Sequence, residues 1–153
     1  MEGSVQQFVE RMGLLCEREG MPRGAGRLFG LLLVSDRAYS LDELTEMLQA
    51  SKASVSTNAR MLESLGMIER VSSLGDRRDF YRTRPDGAVM LLERRLEWMR
   101  RLREAADRGS RTESARNPVV AERFRGLCRL HAFAMRGVER TLRQLHRGVD
   151  NAR

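Results

Sequence analysis

A mainly α fold carrying one small β hairpin follows from three features of this chain. The stretch Ser40-Leu41-Asp42-Glu43 has the composition of a capping box that starts a short helix. A second helix signal opens at Ser51 after only a tight turn, and Gly66 supplies its stop. Two strand-like runs, 67–73 and 79–84, then flank a polar, basic tip. Two short helices joined by a turn and followed by a hairpin make a winged helix-turn-helix. Long amphipathic stretches on either side complete it as N- and C-terminal dimerisation helices. The expected organisation is one continuous domain: support helices over 1–39, the winged helix over 40–84, and long helices over 85–153.

At the N-terminus, Val5, Phe8, Val9, Met12, Leu15 and Cys16 fall at i, i+3, i+4, i+7, i+10 and i+11, one stripe of a helix. Pro22 and Arg23 start a second helix to about Val34, in which Leu28, Phe29, Leu31, Leu32 and Leu33 are broadly apolar and predict burial. The run Gly24-Ala25-Gly26-Arg27-Leu28-Phe29-Gly30 is not a dinucleotide fingerprint. It follows a helix and a proline instead of a strand, and its third glycine comes one residue late. Ser35 to Ala38 reads as the loop into the winged helix.

Within the winged helix, Tyr39 and Leu44 occupy the positions of a hydrophobic staple, and Leu41, Leu44 and Leu48 share one face of a helix over about 41–49. In the 51–65 helix, Val55, Ala59, Leu62 and Leu65 lie on one side. The opposite side carries Ala53, Thr57, Arg60 and Ser64, with Ser54 and Ser56 beside them. Short side chains let a helix backbone approach base edges, while hydroxyls and arginine supply donors to phosphates and to guanine or thymine acceptors. Lys52 in the first turn suits a phosphate beside the free helix amides, and Ser51 caps the same turn. At the wing tip, 74–79, Arg77 and Arg78 suit a narrow minor groove, with Asp76 placed to orient one of them. The candidate DNA-binding set is therefore Ser51, Lys52, Ser54, Ser56, Thr57, Arg60, Arg77 and Arg78.

After the wing, Pro85-Asp86-Gly87 breaks the strand, and a helix to about Arg108 aligns Val89, Leu92, Leu96, Met99, Leu102 and Ala106. A polar linker over 109–117 leads to Pro118, which can start the last helix. There Val120, Phe124, Leu127, His131, Ala134, Val138, Thr141 and Leu145 alternate by four and three, the spacing of a coiled-coil seam, and Leu130, Phe133 and Leu142 widen it. Stripes this long on a small chain call for a partner surface, and a homodimer would cover them.

The net charge of +7 favours an acidic partner, but its distribution matters more. Residues 49–84 hold 7 basic against 4 acidic side chains, which makes the DNA-facing half of the winged helix the basic half. Residues 111–153 hold 10 against 4, and two readings of that excess stay open: contact with flanking phosphates, or a solvated helix face. Two cysteines and two histidines make neither a disulfide framework nor a zinc spacing, so no metal or cofactor is expected. Cys16 reads as a buried thiol that behaves as a small hydrophobe. No nucleophile with its base and no paired-carboxylate site stands out, which argues against an enzyme. With no signal peptide or long apolar run, a cytoplasmic location is expected. The competing reading is a winged-helix module for non-specific DNA architecture or protein interaction.

Specific strings resemble the MarR-type winged-helix regulators, closest to the GbsR-like branch. They are Ser51-Lys52-Ala53-Ser54-Val55-Ser56, Arg60-Met61-Leu62-Glu63-Ser64-Leu65-Gly66 and Gly75-Asp76-Arg77-Arg78-Asp79-Phe80-Tyr81, with Phe8 to Gly13 and Met21 to Arg27 upstream. The resemblance implies a homodimeric transcriptional regulator, with the 51–65 helix in the major groove of double-stranded DNA and the wing beside it. Family members commonly respond to a small molecule, but the residues here name no effector. Some members carry a peroxide-sensing thiol in the first helix, which is the sharper alternative for Cys16. A quaternary ammonium would want an aromatic cage, and Trp98 is the one tryptophan on offer.

Overall fold

The computed structural model describes residues 2–72 and 78–150, with side chains through 147. Helices α1 (Gly3–Arg18) and α2 (Arg23–Leu33) lead to a two-residue strand, β1 (Tyr39–Ser40). Helices α3 (Leu41–Leu48) and α4 (Lys52–Ser64) follow, then strands β2 (Ile68–Ser72) and β3 (Asp79–Thr83). Helix α5 (Gly87–Gly109), a single 3-10 turn at Glu113–Arg116 and α6 (Pro118–Asp150) end the chain. Two compact units result, 1–90 and 91–153.

The first unit has one core, in which Val9, Leu28, Leu31 and Leu32 of α1 and α2 meet Leu44, Leu48, Val55, Ala59, Leu62, Ile68 and Tyr81 of the winged helix. The glycines near residue 26 make the closest approach in it. A Cβ on Gly26 would stand 2.6 Å from the Met12 carbonyl oxygen and 2.7 Å from the Cys16 Cβ, and one on Gly30 would stand 2.9 Å from the Met12 Cβ. Those residues are glycines because α1 lies against α2 there. Arg27 adds a polar tie. Its Nη2 donates to the Leu48 carbonyl at 3.0 Å. Its Nε lies 2.7 Å from a Glu10 oxygen, but the N–H is not aimed at an acceptor, so that contact is ionic and not a hydrogen bond.

Several expectations need correction here. Leu33, expected to be buried, is 47% exposed, because α2 ends at that residue and its last turn passes beyond the core. On α1, Val5, Val9, Met12 and Cys16 turn inward, whereas Phe8 and Leu15 flank the contact and stand exposed beside Leu14. Strand β1 escaped the sequence reading. It pairs antiparallel with β3, Tyr39 opposite Tyr81 and Ser40 opposite Phe80, to give a sheet of order β1-β3-β2.

In the second unit, α5 and α6 run antiparallel, as side-chain pairs fix: His146 with Glu93 at 3.5 Å, Glu139 with Arg100 at 3.1 Å, and Cys128 with Asp107 at 3.4 Å. Leu96 and Ala106 of α5 and Leu142 and His131 of α6 are buried. His131 lies 6.1 Å from the Trp98 ring, and its Nδ1 is 2.9 Å from the Leu127 carbonyl. The expected second stripe of α6 divides: Leu142 turns inward, while Leu130 and Phe133 are 63% and 68% exposed. A 100° helical step places those two on the opposite side from Leu142, with Val119. The 109–117 linker is polar as expected but contains the 3-10 turn, started by Thr112.

Candidate nucleic-acid interface

The start of α3 is built from the capping box that the sequence predicts. Both the amide and the hydroxyl of Ser40 donate to one Glu43 carboxylate oxygen at 2.8 Å, and the Glu43 amide donates back to the Ser40 hydroxyl oxygen at 3.4 Å. Arg37 holds the other oxygen at 2.8 Å while its guanidinium lies 3.9 Å from the centre of the Tyr39 ring. The Arg37 bond, then the Ser40 donors, hold the Glu43 carboxyl down at a pKa of about 2. Gln49, at φ 50°, turns the chain out of α3 in the left-handed region, where a non-glycine residue is uncommon. Ser51 then caps α4, its hydroxyl oxygen accepting from the Ser54 amide at 3.2 Å.

Helix α4 divides cleanly by face. Val55, Asn58, Ala59 and Leu62 are buried, while Ser51, Lys52, Ala53, Ser54, Thr57, Arg60 and Ser64 are exposed. Of the expected contact residues on this helix, only Ser56 is half-buried. Arg60 has no hydrogen-bond or ion-pair partner among the described residues. Lys52 is held by Asp42 across the turn, Nζ to Oδ1 at 2.6 Å. Gly66, at φ 73°, ends the helix and sends the chain into β2.

In the wing, β2 pairs with β3 from Ile68 opposite Thr83 to Ser72 opposite Asp79. Arg82 is held by Glu69 at 2.7 Å and Arg70 by Asp79 at 3.2 Å, so both are neutralised on the sheet. Arg78 is exposed, with its guanidinium 5.3 Å from the centre of the Phe80 ring. Arg77 and Asp76, with the rest of 73–77, lie outside the described residues. Lys52 and Arg78 come together on a cleft of about 180 Å³ that Ser40, Asp42, Asp79 and Tyr81 also line. A helix face that bears serine, threonine and Arg60, next to a cleft with two cations, can donate to base edges and phosphates together.

Two residues at this interface were not singled out from the sequence. Asp42 was read as part of a cap and not as a partner of Lys52, and Asn58 was passed over, although a mid-helix asparagine is a weak signal of a side-chain task because it favours helix less than its neighbours do. Cys16, for its part, packs against Gly26, and burial pushes its thiol pKa up, the opposite of what a reactive thiolate needs.

No protein-family model matches the chain. It is 40% identical over 133 residues to the HTH-type transcriptional regulator MmpR5 of Mycobacterium tuberculosis, covering 86% of this chain and 81% of that protein. The HTH-type transcriptional repressor OpcR of Bacillus subtilis is 27% identical over 86 residues, 56% of this chain and 46% of its own length. A crystal structure of a transcriptional regulator, 37% identical, superposes with a TM-score of 0.82 over 94% of this chain and 99% of its own. With a winged helix whose polar face is turned outward, this chain belongs to the HTH-type transcriptional regulators and acts by binding DNA.

Proposed function

We propose that the protein is a homodimeric, MarR-type repressor of the GbsR-like branch. It reads a pseudo-palindromic operator through the 51–65 helix in the major groove and the 74–79 wing in the adjacent minor groove. The observation that carries this reading is the outward face of α4, where Thr57, Ser54 and Arg60, the last with no partner among the described residues, stand exposed above a packed inward face. Ser51, Lys52 and Arg78 serve phosphates at the margins, Ser56 contributes from the edge, and Arg77 joins Arg78 at the wing. The strings at 51–56, 60–66 and 75–81 support the MarR-type and GbsR-like assignment, and similarity to a protein named as a repressor favours repression.

The homodimer follows from apolar surface that the chain leaves open: Leu130 and Phe133 on α6, Leu14 and Leu15 on α1. Two-fold symmetry then sets the two recognition helices roughly 34 Å apart, one turn of DNA. A small-molecule effector of unassigned chemistry would act by shifting that spacing. In vitro selection from a random duplex library tests the reading. It should return a consensus with two inverted half-sites about one turn apart. A pool with no consensus, bound in a steeply salt-dependent way, would instead identify a non-specific architectural module.

A further inference from the structure

One buried polar side chain backs the exposed face of α4. Asn58 is 8% exposed, among the apolar residues that fix α4 in the core. An asparagine in a helix interior competes with the backbone for hydrogen bonds, so its presence there needs a partner. It lies where α4 crosses α2 at Gly24, and a Cβ on residue 24 would stand 2.5 Å from the Asn58 Nδ2. The bare glycine makes room for the carboxamide, which lies buried at that crossing. From that position Nδ2 donates to the Ser54 hydroxyl oxygen, one turn earlier, at 3.4 Å. That is long for an N–H···O bond, so its effect is on direction more than on strength.

A serine hydroxyl has one donor hydrogen and two acceptor lone pairs. With the Asn58 amide on one lone pair, the Ser54 O–H is left to donate elsewhere, and Ser54 itself is exposed. The backbone of Ser54 is held as well, its amide donating a hydrogen bond to the Ser51 hydroxyl oxygen. We propose that Asn58 is a positioning residue for DNA recognition, which holds Ser54 as a hydrogen-bond donor so that it reads an acceptor on a base edge. Guanine N7 or O6, adenine N7 and thymine O4 offer such acceptors, and the cytosine amino group does not. This rests on the placement of α4 in the major groove proposed above.

The test compares base preferences, position by position, of duplexes selected by the wild-type protein, Ser54→Ala, Asn58→Asp and the double variant, with a thermal melt of each. Asn58→Asp keeps the shape but reverses the polarity, because the carboxylate accepts the Ser54 O–H that would otherwise face DNA. Its added charge lowers affinity for every duplex, so the readout is the preference at each position and not the affinity. Ser54→Ala and Asn58→Asp should both lose about three- to tenfold preference at the same one position of each half-site. The double variant should lose no more than Ser54→Ala does. Asn58→Ala, which removes the donor without adding charge, should lose it at that position too, and it stands in if Asn58→Asp does not fold.

A loss spread over all positions in step with a lowered melting temperature would make Asn58 a packing residue and overturn the inference. If Ser54→Ala loses the preference while neither Asn58 variant does, Ser54 reads DNA unaided and only the inference fails. If Ser54→Ala changes no position, the proposed placement of Ser54 on DNA fails, and the inference falls with it.

Discussion

Lys52 and Arg60 stand on the same helix with different local chemistry. On the proposed DNA Lys52 would exchange Asp42 for a phosphate, whereas Arg60 has no partner among the described residues to give up. Lys52→Ala should therefore weaken binding nearly equally on all duplexes and reduce the salt slope by about one. Arg60→Ala should relax preference at particular base pairs, at a cost of about 1–3 kcal/mol there. Titrations of both variants against matched and mismatched duplexes separate the two roles, and full retention of preference in Arg60→Ala removes it from the readout. Glu43 makes a prediction in pH. Its folded pKa of about 2 lies below the ordinary 4.5, so the stability it contributes is complete above about 4.5 and is lost as the pH falls through about 2. Melting temperature against pH should consequently fall less steeply over that window in Glu43→Gln than in the wild type. The outward residues of α4 were legible because helical periodicity alone sorts its faces. The tasks of Asn58 and Asp42 were not, since each depends on a neighbouring element, Gly24 of α2 or Lys52 across the turn, that local spacing cannot place.

Elements with strong end signals could be read in the same way. Ser40 with Glu43, Ser51, Gly66 and Pro118 marked helix ends that the structure places within a residue or two. Strand β1 carried no such mark, because two residues leading directly into a capping box acquire strand character only by pairing with Tyr81 and Phe80. Leu33 was misjudged because composition reports how apolar a helix is and not where its neighbours stop. The glycines of α2 teach the reverse lesson: a motif test rejected a nucleotide-binding role, and the packing of α1 on α2 supplies their actual use. Gly26→Ala should force α1 away from α2 and destabilise the first unit by about 1–3 kcal/mol in denaturant unfolding, whereas Gly3→Ala, where nothing lies within 4 Å, should not. Equal stability of the two variants would show that α1 yields without cost.

At the scale of the whole molecule, open apolar surface and the distribution of charge point to assembly on DNA. Leu130 and Phe133 lie outside the buried side of their own unit, so replacing both with aspartate should leave the fold intact and dissociate the proposed dimer. Light scattering behind size exclusion reads this directly, and a double variant that keeps the wild-type mass would place the interface elsewhere. The arginine excess of 111–153 is partly paired internally: Glu122 binds both Arg125, at 2.8 Å, and Arg129, at 2.6 Å. The solvated-face reading accounts for that pair without DNA. The central claim is that α4 reads sequence. Fluorescence anisotropy with a selected duplex and a shuffled one, each at two salt concentrations, tests it most directly. The account predicts binding to the selected duplex on the order of a thousand-fold tighter, a ratio that persists at the higher salt. Equal binding to both, with the same steep loss as salt rises, would contradict it.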